Sequence, residues 1–185
     1  MRLRAAAAPL ALVLALLTAC SAESSLEDFE ALRAALDAAE GVHIAARVAA
    51  AGERPEEYRL TLEGTAADCT VTVVEPEALA GVSAHITENG AEIGYGPLLL
   101  AAGDLDGAGL SAITALPRLL AAISGAHAAL YWTEGEGSAV SLVPADGEGV
   151  ELRLGPDGRP LSAEFTAGGE VLVMCEIEGF SLTAT

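Results

Sequence analysis

Apolar positions along the chain change their spacing several times, and each change predicts a different element. A continuous apolar run at residues 5–17 follows two arginines and leads into a Leu-Thr-Ala-Cys tetrad that ends at Cys20. A positive start, an apolar core and a small residue at the cleavage site are typical of an export signal, and this run is too short to span a bilayer comfortably. Residues 1–19 are therefore predicted to be a lipoprotein signal peptide.

The tetrad has the sequence of a lipobox, at which a lipoprotein is acylated and cleaved. Cys20 is then expected to become the lipid-carrying first residue, with residues 20–25 as a short tether. Acyl chains such as palmitate contribute about 0.8 kcal/mol per buried methylene, so several chains on Cys20 would anchor the protein on the extracytoplasmic face of a membrane in the cell envelope. The alternative is an ordinary secretory signal cleaved near Ala19, which would leave Cys20 as a free thiol.

Two later segments have helical spacing. The first begins at a capping box of Ser24 and Glu27. The second follows the glycine-rich segment 103–109 and ends at Gly125, with Pro117 expected in its first turn. The apolar positions are Leu26, Phe29, Leu32, Leu36 and Ala39 in the first segment, and Ile113, Leu116, Leu119, Leu120 and Ile123 in the second.

Elsewhere apolar and polar residues alternate, as expected of strands with one buried face. Five such strands lie between Val42 and Tyr95, and five more lie between Ala128 and Ile177. Roughly ten short strands with tight connections predict an α+β protein, in which an antiparallel meander buries its apolar face under two helices. Such a curled sheet encloses either a solid core or an aliphatic cavity, and the sequence leaves both open.

Charge narrows the range of partners. The chain has no lysine, and beyond residue 19 its 27 acidic residues face seven arginines. A mature chain with a net charge of about −20 repels phosphate backbones and anionic head groups, which argues against nucleic acid as a partner. Membrane attachment is therefore expected to depend on the lipid at Cys20.

The sequence contains no arrangement typical of an active site. His43, His85 and His127 occur singly on the polar side of strands, where solvated histidines are the ordinary interpretation. The acidic segment 103–109 lacks the ligand spacing of an EF-hand loop, and the Glu-Gly-Glu at 134–136 is typical of a charged hairpin turn. The sequence therefore predicts no catalytic residue, metal or cofactor.

Once Cys20 is acylated, two thiols remain, at Cys69 and Cys175. Both lie on the apolar side of their strands, in a compartment where disulfides can persist. A bridge requires Cα atoms within about 7 Å, and an early and a last strand lie far apart in a simple meander unless the sheet curls strongly. A Cys69–Cys175 disulfide and two buried free thiols are the alternatives.

The order of helix, five or six strands, helix and five strands resembles the LolA/LolB-like carrier superfamily. The resemblance spans residues 26–182 and includes two turn-and-strand phrases, EPEALAGVSAHI at 75–86 and PDGRPLSAEF at 156–165. It implies that residues 26–185 form an unclosed antiparallel half-barrel with helices over its concave face. In that superfamily the concave face binds the acyl chains of lipoproteins or other lipids.

An anchored chain is similar to the acceptor lipoprotein of that superfamily and to lipid-binding lipoproteins of mycobacteria. The fold also resembles a clostridial spore germination lipoprotein, in which the half-barrel is a protein-interaction scaffold. Two functions follow: binding of a lipid or another hydrophobic ligand, as in lipoprotein or lipid sorting, and non-enzymatic binding of an envelope protein. For the first, the residues expected to line the ligand site are Leu60, Leu62, Val71, Val73, Val82, Ile86, Ile93, Leu119, Leu120 and Leu130.

Overall fold

The computed structural model describes residues 26–51, 56–103, 111–145 and 147–183, and the predicted signal peptide and Cys20 lie outside them. Helix α1 comprises residues 26–38 of the described part. The elements that follow are β1 (Gly41–Ala50), β2 (Glu56–Gly64), β3 (Asp68–Glu75), a 3₁₀ helix (Glu77–Leu79), β4 (Val82–Thr87), β5 (Gly90–Tyr95), β6 (Leu98–Gly103), α2 (Ala112–Gly125), β7 (His127–Glu134), β8 (Gly137–Val143), β9 (Gly149–Leu154), β10 (Pro160–Ala167) and β11 (Glu170–Thr183).

In the described part of the chain, eleven strands form one antiparallel sheet in the order β6-β5-β4-β3-β2-β1-β11-β10-β9-β8-β7. The pairing of β1 with β11 runs from Gly41 opposite Thr183 to Ala50 opposite Val173 and forms the centre of the sheet. The two outermost strands, β6 and β7, do not pair with each other. The predicted α+β fold, an unclosed half-barrel, is therefore confirmed.

The strand order differs from the simple meander expected from the sequence. The chain runs outward from β1 to β6, continues through α2, and then returns from the opposite edge through β7 to the centre at β11. The first and last strands are therefore neighbours. Alternation specifies which face of a strand is apolar, but it carries no information about which distant strand is the partner.

Two local predictions need correction. Helix α2 begins at the N-cap Ser111, whose hydroxyl and backbone form a capping box with Thr114, so Pro117 lies in the second turn and not in the first. Strand β6 was not predicted from alternation, because the three consecutive leucines at its start have no period of two.

Both helices pack against the concave face of the sheet. The main neighbours of α2 are β1, β2, β3, β8 and β11, and its Leu116, Leu119 and Ile123 are fully buried. From α1, Phe29 and Leu32 join the same core. The apolar stripes predicted for both helices therefore face one continuous core.

Arg33 joins α1 to the C-terminal end of α2. Its guanidinium Nε and Nη2 donate hydrogen bonds to the carbonyl oxygens of Ile123 and Ala126, at 2.7 and 2.8 Å. The last carbonyls of a helix have no partner within the helix, so a cation placed there satisfies them and interacts favourably with the helix dipole. The guanidinium also lies 4.6 Å from the centroid of the Phe29 ring.

Among the residues that the structure describes, neither helix is long and apolar enough to cross a membrane.

Candidate functional site

A row of apolar side chains on the concave face runs from the closed core to the edge of the sheet. Strand by strand, cross-strand pairing joins Leu62, Val71, Ala84, Ile93 and Leu100. The first three are fully buried and Ile93 is half-buried, whereas 67% of Leu100 is exposed. The core is therefore closed over β2 and β3 and opens progressively towards β6.

The neighbouring row opens in the same way. Val82 pairs with Tyr95, which pairs with Leu98, and the exposed fractions of the last two are 56% and 63%. We call the concave face of β4, β5 and β6 the open wing. Its large side chains are Val82, Ile86, Ile93, Tyr95, Leu98 and Leu100.

The outer face of β4 and of most of β5 is polar. Ser83, His85 and Thr87 alternate with the apolar residues of β4, and Glu92 does so on β5. The open wing is therefore apolar on its concave face, which a core would normally cover, but the side chains nearest the edge of the sheet are exposed. A contiguous exposed apolar surface of this kind is typical of a ligand or interaction site.

A pocket of about 260 Å³ continues the open wing inward, between strands β2, β3 and β4 and the N-terminal turn of α2. Its walls include Leu60, Val73, Val82 and Leu79 from the sheet side and Ile113 from the helix. These side chains can exclude water from an apolar group.

Tyr58 and Ser111 supply the polar groups of this pocket. The Tyr58 hydroxyl donates a hydrogen bond to a carboxylate oxygen of Glu56. This hydrogen bond, followed by burial and by the charge of Glu56, raises the pKa of Tyr58 above its ordinary value. The pocket therefore presents a neutral phenol whose hydroxyl is already bonded to a carboxylate.

The predicted ligand-site residues divide into three groups in the structure. Six are buried in the core between the sheet and α2, namely Leu60, Leu62, Val71, Val73, Leu119 and Leu120. Three are half-buried in the open wing, namely Val82, Ile86 and Ile93. The remaining one, Leu130, lies elsewhere. Of the buried group, Leu60 and Val73 reach the wall of the pocket.

Leu130 does not face the core. A register shift between Ala128 and Leu130 lets Tyr131 pair with the buried Val140, while Leu130 pairs with Ser141 and is 64% exposed. A bulge inserts a residue into one strand and so exchanges the faces of the residues that follow. Tyr131, and not Leu130, therefore packs against the core, where its ring lies 6.4 Å from that of Phe29.

Two larger depressions lie elsewhere on the surface, with volumes of about 490 and 540 Å³. The first is lined by the ion pair of Arg118 and Glu148 together with small side chains near the end of α2. The second lies between α1 and the β9–β10 turn, where Asp28, Asp157 and Arg159 contribute charges. Neither continues into an exposed apolar sheet face, so the smaller pocket beside the open wing is the better candidate for a hydrophobic ligand.

Cys69 and Cys175 are both free and buried. They lie on β3 and β11, which the sheet order separates by three strand spacings, or roughly 14 Å at about 4.8 Å each. Burial raises the pKa of Cys69 to about 11 and that of Cys175 to about 12. In this structure both thiols therefore resemble small apolar side chains more than reactive groups.

Of the other polar groups considered from the sequence, His43, His85 and Glu134 lie on the outer face, whereas the acidic residues of the segment 103–109 lie outside the described residues. His43 lies 3.4 Å from Glu63, and His85 lies 2.9 Å from Asp68. Glu134 accepts a hydrogen bond from Arg153, on the polar side of the sheet. Within the described ranges, no cluster of three or more histidine, cysteine or acidic side chains is placed to hold a metal ion.

Sequence reasoning missed Tyr58, Tyr95, Leu98 and Leu100. Alternation gives the two tyrosines the same signal as any other apolar residue of a strand, and it assigns the leucines to no strand. The signal that could have found the leucines is the run Leu98-Leu99-Leu100 itself, which is unusual directly after a Gly-Pro turn and before a glycine-rich segment. An apolar run at the end of a strand series is consistent with an edge strand that has an uncovered face.

Comparison with known proteins gives structural relatives only. Neither a family model nor a curated protein sequence matches the chain. A conserved protein from Thermus thermophilus is similar with a TM-score of 0.50 and 18% identity, over 88% of this chain and 89% of its own. A Vibrio parahaemolyticus domain that carries the name of an outer membrane lipoprotein-sorting protein has a TM-score of 0.50 and 12% identity, over 87% of this chain and 93% of its own.

A LolA superfamily protein from Nitrosomonas europaea is also similar, with a TM-score of 0.42 and 13% identity, over 89% of this chain and 94% of its own. At such identities the two likenesses with a TM-score of 0.50 show the fold alone. The same fold hosts different functions, so the site must decide among them.

Proposed function

We propose that this protein is a cell-envelope lipoprotein, anchored through lipid on Cys20, whose open wing binds an acyl chain or another hydrophobic ligand. The observation that carries the proposal is the exposed apolar row that ends at Leu98 and Leu100 and continues into the pocket beside Leu60 and Val73. An acyl chain laid along this row would cover surface that is otherwise in contact with water, and about 25 cal/mol is gained for each Å² of apolar surface removed from water.

The role proposed is binding, without catalysis. The described residues that line the pocket offer a phenol, which is bonded to the carboxylate of Glu56, and a serine hydroxyl, but no histidine or cysteine that could act as a base or nucleophile. The structural relative from Vibrio parahaemolyticus is named as an outer membrane lipoprotein-sorting protein domain. We propose that this chain takes part in the sorting of lipoproteins or lipids. Its predicted signal peptide would direct it to the cell envelope.

Native mass spectrometry with lipid extraction tests the proposal. The full chain, as processed by its own host or a close relative, is purified gently, and lipid that is released without cleavage of Cys20 is counted. Wild type is expected to carry non-covalent acyl lipid, and Leu100→Glu is expected to lose it because a carboxylate cannot be buried against an acyl chain without a large desolvation cost.

Leu130→Glu is the matched control. Leu130 and Leu100 are exposed to nearly the same degree, 64% and 67%, and both lie on edge strands, but Leu130 faces away from the core. Both variants should fold, since exposed positions tolerate such changes. Loss of lipid in both variants, or in neither, would contradict a site at the open wing.

A protein-interaction scaffold is the second candidate, and one observation favours it. Strand β6 is an edge of the sheet, and Leu99, on its outer face, is 72% exposed, so an extended segment of a partner could add a strand there. A lipid-free protein whose mass shifts only when a second envelope protein is added would favour the scaffold over the carrier.

A further inference from the structure

Beyond the proposed function, we infer that strand β6 binds a second copy of this chain, so that two sheets join edge to edge across a twofold axis. Among the described strands, β6 pairs only with β5. Its leucines, Leu98, Leu99 and Leu100, are all more than half exposed. An edge strand with exposed apolar side chains is a template for pairing with another strand.

Among the described residues, the two edges of the sheet are protected unequally. On β7, Tyr131 packs against Phe29 of α1, and Glu134 at the end of the strand accepts a hydrogen bond from Arg153. Covering elements and charged side chains are common means by which proteins prevent pairing at an edge. The sequence from Ile93 to Gly103, which includes all of β6, contains no charged residue. Of the two edges, β6 is therefore the one whose residues permit pairing.

The leucine run of β6 is complementary to itself. In an antiparallel pair, residues directly opposite each other lie on the same face. A twofold axis through Leu99 places Leu99 opposite Leu99 of the second copy, and Leu98 opposite its Leu100. The neighbouring twofold registers would place leucines opposite alanines, or opposite Gly96 and Pro97. The register through Leu99 therefore brings all the leucines together and removes the most apolar surface from water.

The pairing on β5 gives a second reason for a partner beyond the edge. Leu99, on the outer face, pairs with Gly94, which has no side chain. Leu99 therefore has no cross-strand side chain on its own sheet, and a leucine across the free edge would supply one. On the concave face, Leu98 pairs with Tyr95, which is itself more than half exposed. A second copy would cover both faces of the edge at once.

The distribution of charge favours β6 as the place where two acidic copies can meet. Glu92 is the charged residue of β5 and lies one strand back from the edge. In the joined sheets, the Glu92 residues of the two copies would be separated by three strand spacings, or roughly 14 Å at about 4.8 Å each. This distance exceeds the Debye length of about 8 Å at physiological ionic strength, so their repulsion is largely screened.

The size of the edge indicates where the pairing takes place. Strand β6 has six residues, whereas a stable interface typically uses about 20–30 residues a side. The pairing is therefore expected to be weak in dilute solution. Attachment of both copies to one membrane, which rests on the proposed lipid at Cys20, would raise their effective concentration. The two open wings would then form one continuous apolar surface on the concave side, and the proposed ligand site would be extended.

Cysteine crosslinking at the twofold axis tests this inference. The full chain with Leu99→Cys, as processed by its host, is placed in phosphatidylcholine liposomes and mildly oxidised, and dimer is measured on a gel without reductant. Opposite residues of an antiparallel pair have Cα atoms about 4.5–5.5 Å apart, which a disulfide can span. Leu99→Cys should give several-fold more dimer than Leu130→Cys, which changes a similarly exposed outer-face leucine on the other edge strand. Wild type, which retains the buried Cys69 and Cys175, gives the background.

A mixture of Leu98→Cys and Leu100→Cys chains tests the register. These positions lie opposite each other in the twofold pair, whereas each lies about 7–8 Å from its own copy, as diagonal neighbours do. The mixture should therefore give several-fold more dimer than either variant alone, with position 98 linked to position 100 in the peptide map. Added salt should increase the yield, because it screens the repulsion between two acidic chains.

Leu99→Glu separates this inference from the proposed function. It would place two carboxylates opposite each other at the axis, so association that rises with concentration in sedimentation velocity should be lost. Leu99 lies on the outer face, so the same variant should retain non-covalent acyl lipid, whereas Leu100→Glu is expected to lose it. Specific dimer from a protein that carries no lipid would support the pairing and contradict the ligand site.

Two results would overturn the second copy as the occupant. Equal dimer from Leu99→Cys and Leu130→Cys would indicate random collision, and it would leave the proposed lipid binding intact. In membranes of the host, linkage of Leu99→Cys to a different protein in place of a second copy would show that β6 pairs with a strand of that protein.

Discussion

The two wings of the sheet are built from the same kind of strand, yet they differ in what covers them. On β8, β9 and β10, which we call the covered wing, the concave side chains Val140, Leu142, Leu152 and Phe165 are all at most 1% exposed. On the open wing, exposure rises strand by strand until it exceeds half of the side chain at Tyr95, Leu98 and Leu100.

The difference comes from the helices, because both wings alternate in the same way. Helix α2 packs on the central strands and on β8, and α1 reaches β7, beside the covered wing, through Phe29, whose ring lies 6.4 Å from that of Tyr131. The Arg33 hydrogen bonds fasten α1 to the end of α2 on that side. One wing is thus part of the folded core, and the other keeps an exposed apolar face.

The largest expected effect comes from truncating the same side chain in each wing. Leu152→Ala should lower the free energy of unfolding by about 2–5 kcal/mol, because it leaves a cavity in a packed core. Leu100→Ala should change it by no more than about 0.5 kcal/mol, since Leu100 is already exposed. Urea unfolding of both variants measures the difference. Similar losses in the two variants would show that the open wing is packed against something in solution.

A smaller effect is expected when α1 is released from α2. Arg33→Ala removes two charge-assisted hydrogen bonds and leaves the carbonyls of Ile123 and Ala126 without this donor, which should cost about 1–3 kcal/mol. Arg159→Ala is the control, because its ion pair with Asp157 is mostly exposed and should contribute no more than about 1 kcal/mol.

Lipid binding at the open wing should survive Arg33→Ala when the variant is assayed below its unfolding midpoint. If the stability of Arg33→Ala matched that of Arg159→Ala, the guanidinium would not be holding the covered wing closed. If lipid binding were lost with the fold intact, the two wings would be coupled, and the contrast between them would have to be revised.

The smallest effect concerns the thiols. Both folded pKa values lie above the ordinary value of 9.0, so the contribution of these groups to stability is complete below about pH 9 and is lost as pH rises towards 11 and 12. Native Cys69 should therefore begin to react with an alkylating reagent at a lower pH than Cys175. Peptide mapping after alkylation at stepped pH measures the order.

The same reagent tests the disulfide that the sequence left open. In denaturant without reductant, both Cys69 and Cys175 should be alkylated in full, and prior reduction should add nothing. Alkylation that requires reduction would establish the bridge and would also require a strand arrangement different from the one described here.

Much of the fold could be predicted from the sequence because its signals are local. The apolar stripe of α1, the Asn-Gly turn between β4 and β5, and the alternation from Val42 onwards each depend on residues a few positions apart. The helix–strand order followed from these signals, and the half-barrel followed from the resemblance. Nine of the ten predicted site residues do lie on the core or concave side.

The candidate site could not be predicted in the same way. The expected placement of Leu130 on the concave face is wrong because a bulge in β7 moves its side chain to the outer face. The alternation of a single strand does not reveal such a bulge. Leu98 and Leu100 were missed because an edge strand with three successive leucines has no period to detect. Leu119 and Leu120 were expected to line a ligand site, but they form the closed part of the core.

The sequence by itself determined which residues of each strand are apolar, where the helices begin and end to within a turn, the excess of negative charge, and the expectation of a lipid at Cys20. Only the tertiary structure decided that β1 pairs with β11, that β6 and β7 are the edges, and that the helices cover one wing more than the other. The physical reason is that alternation and capping are set by neighbours in the chain, whereas exposure depends on contacts between residues that are far apart in sequence.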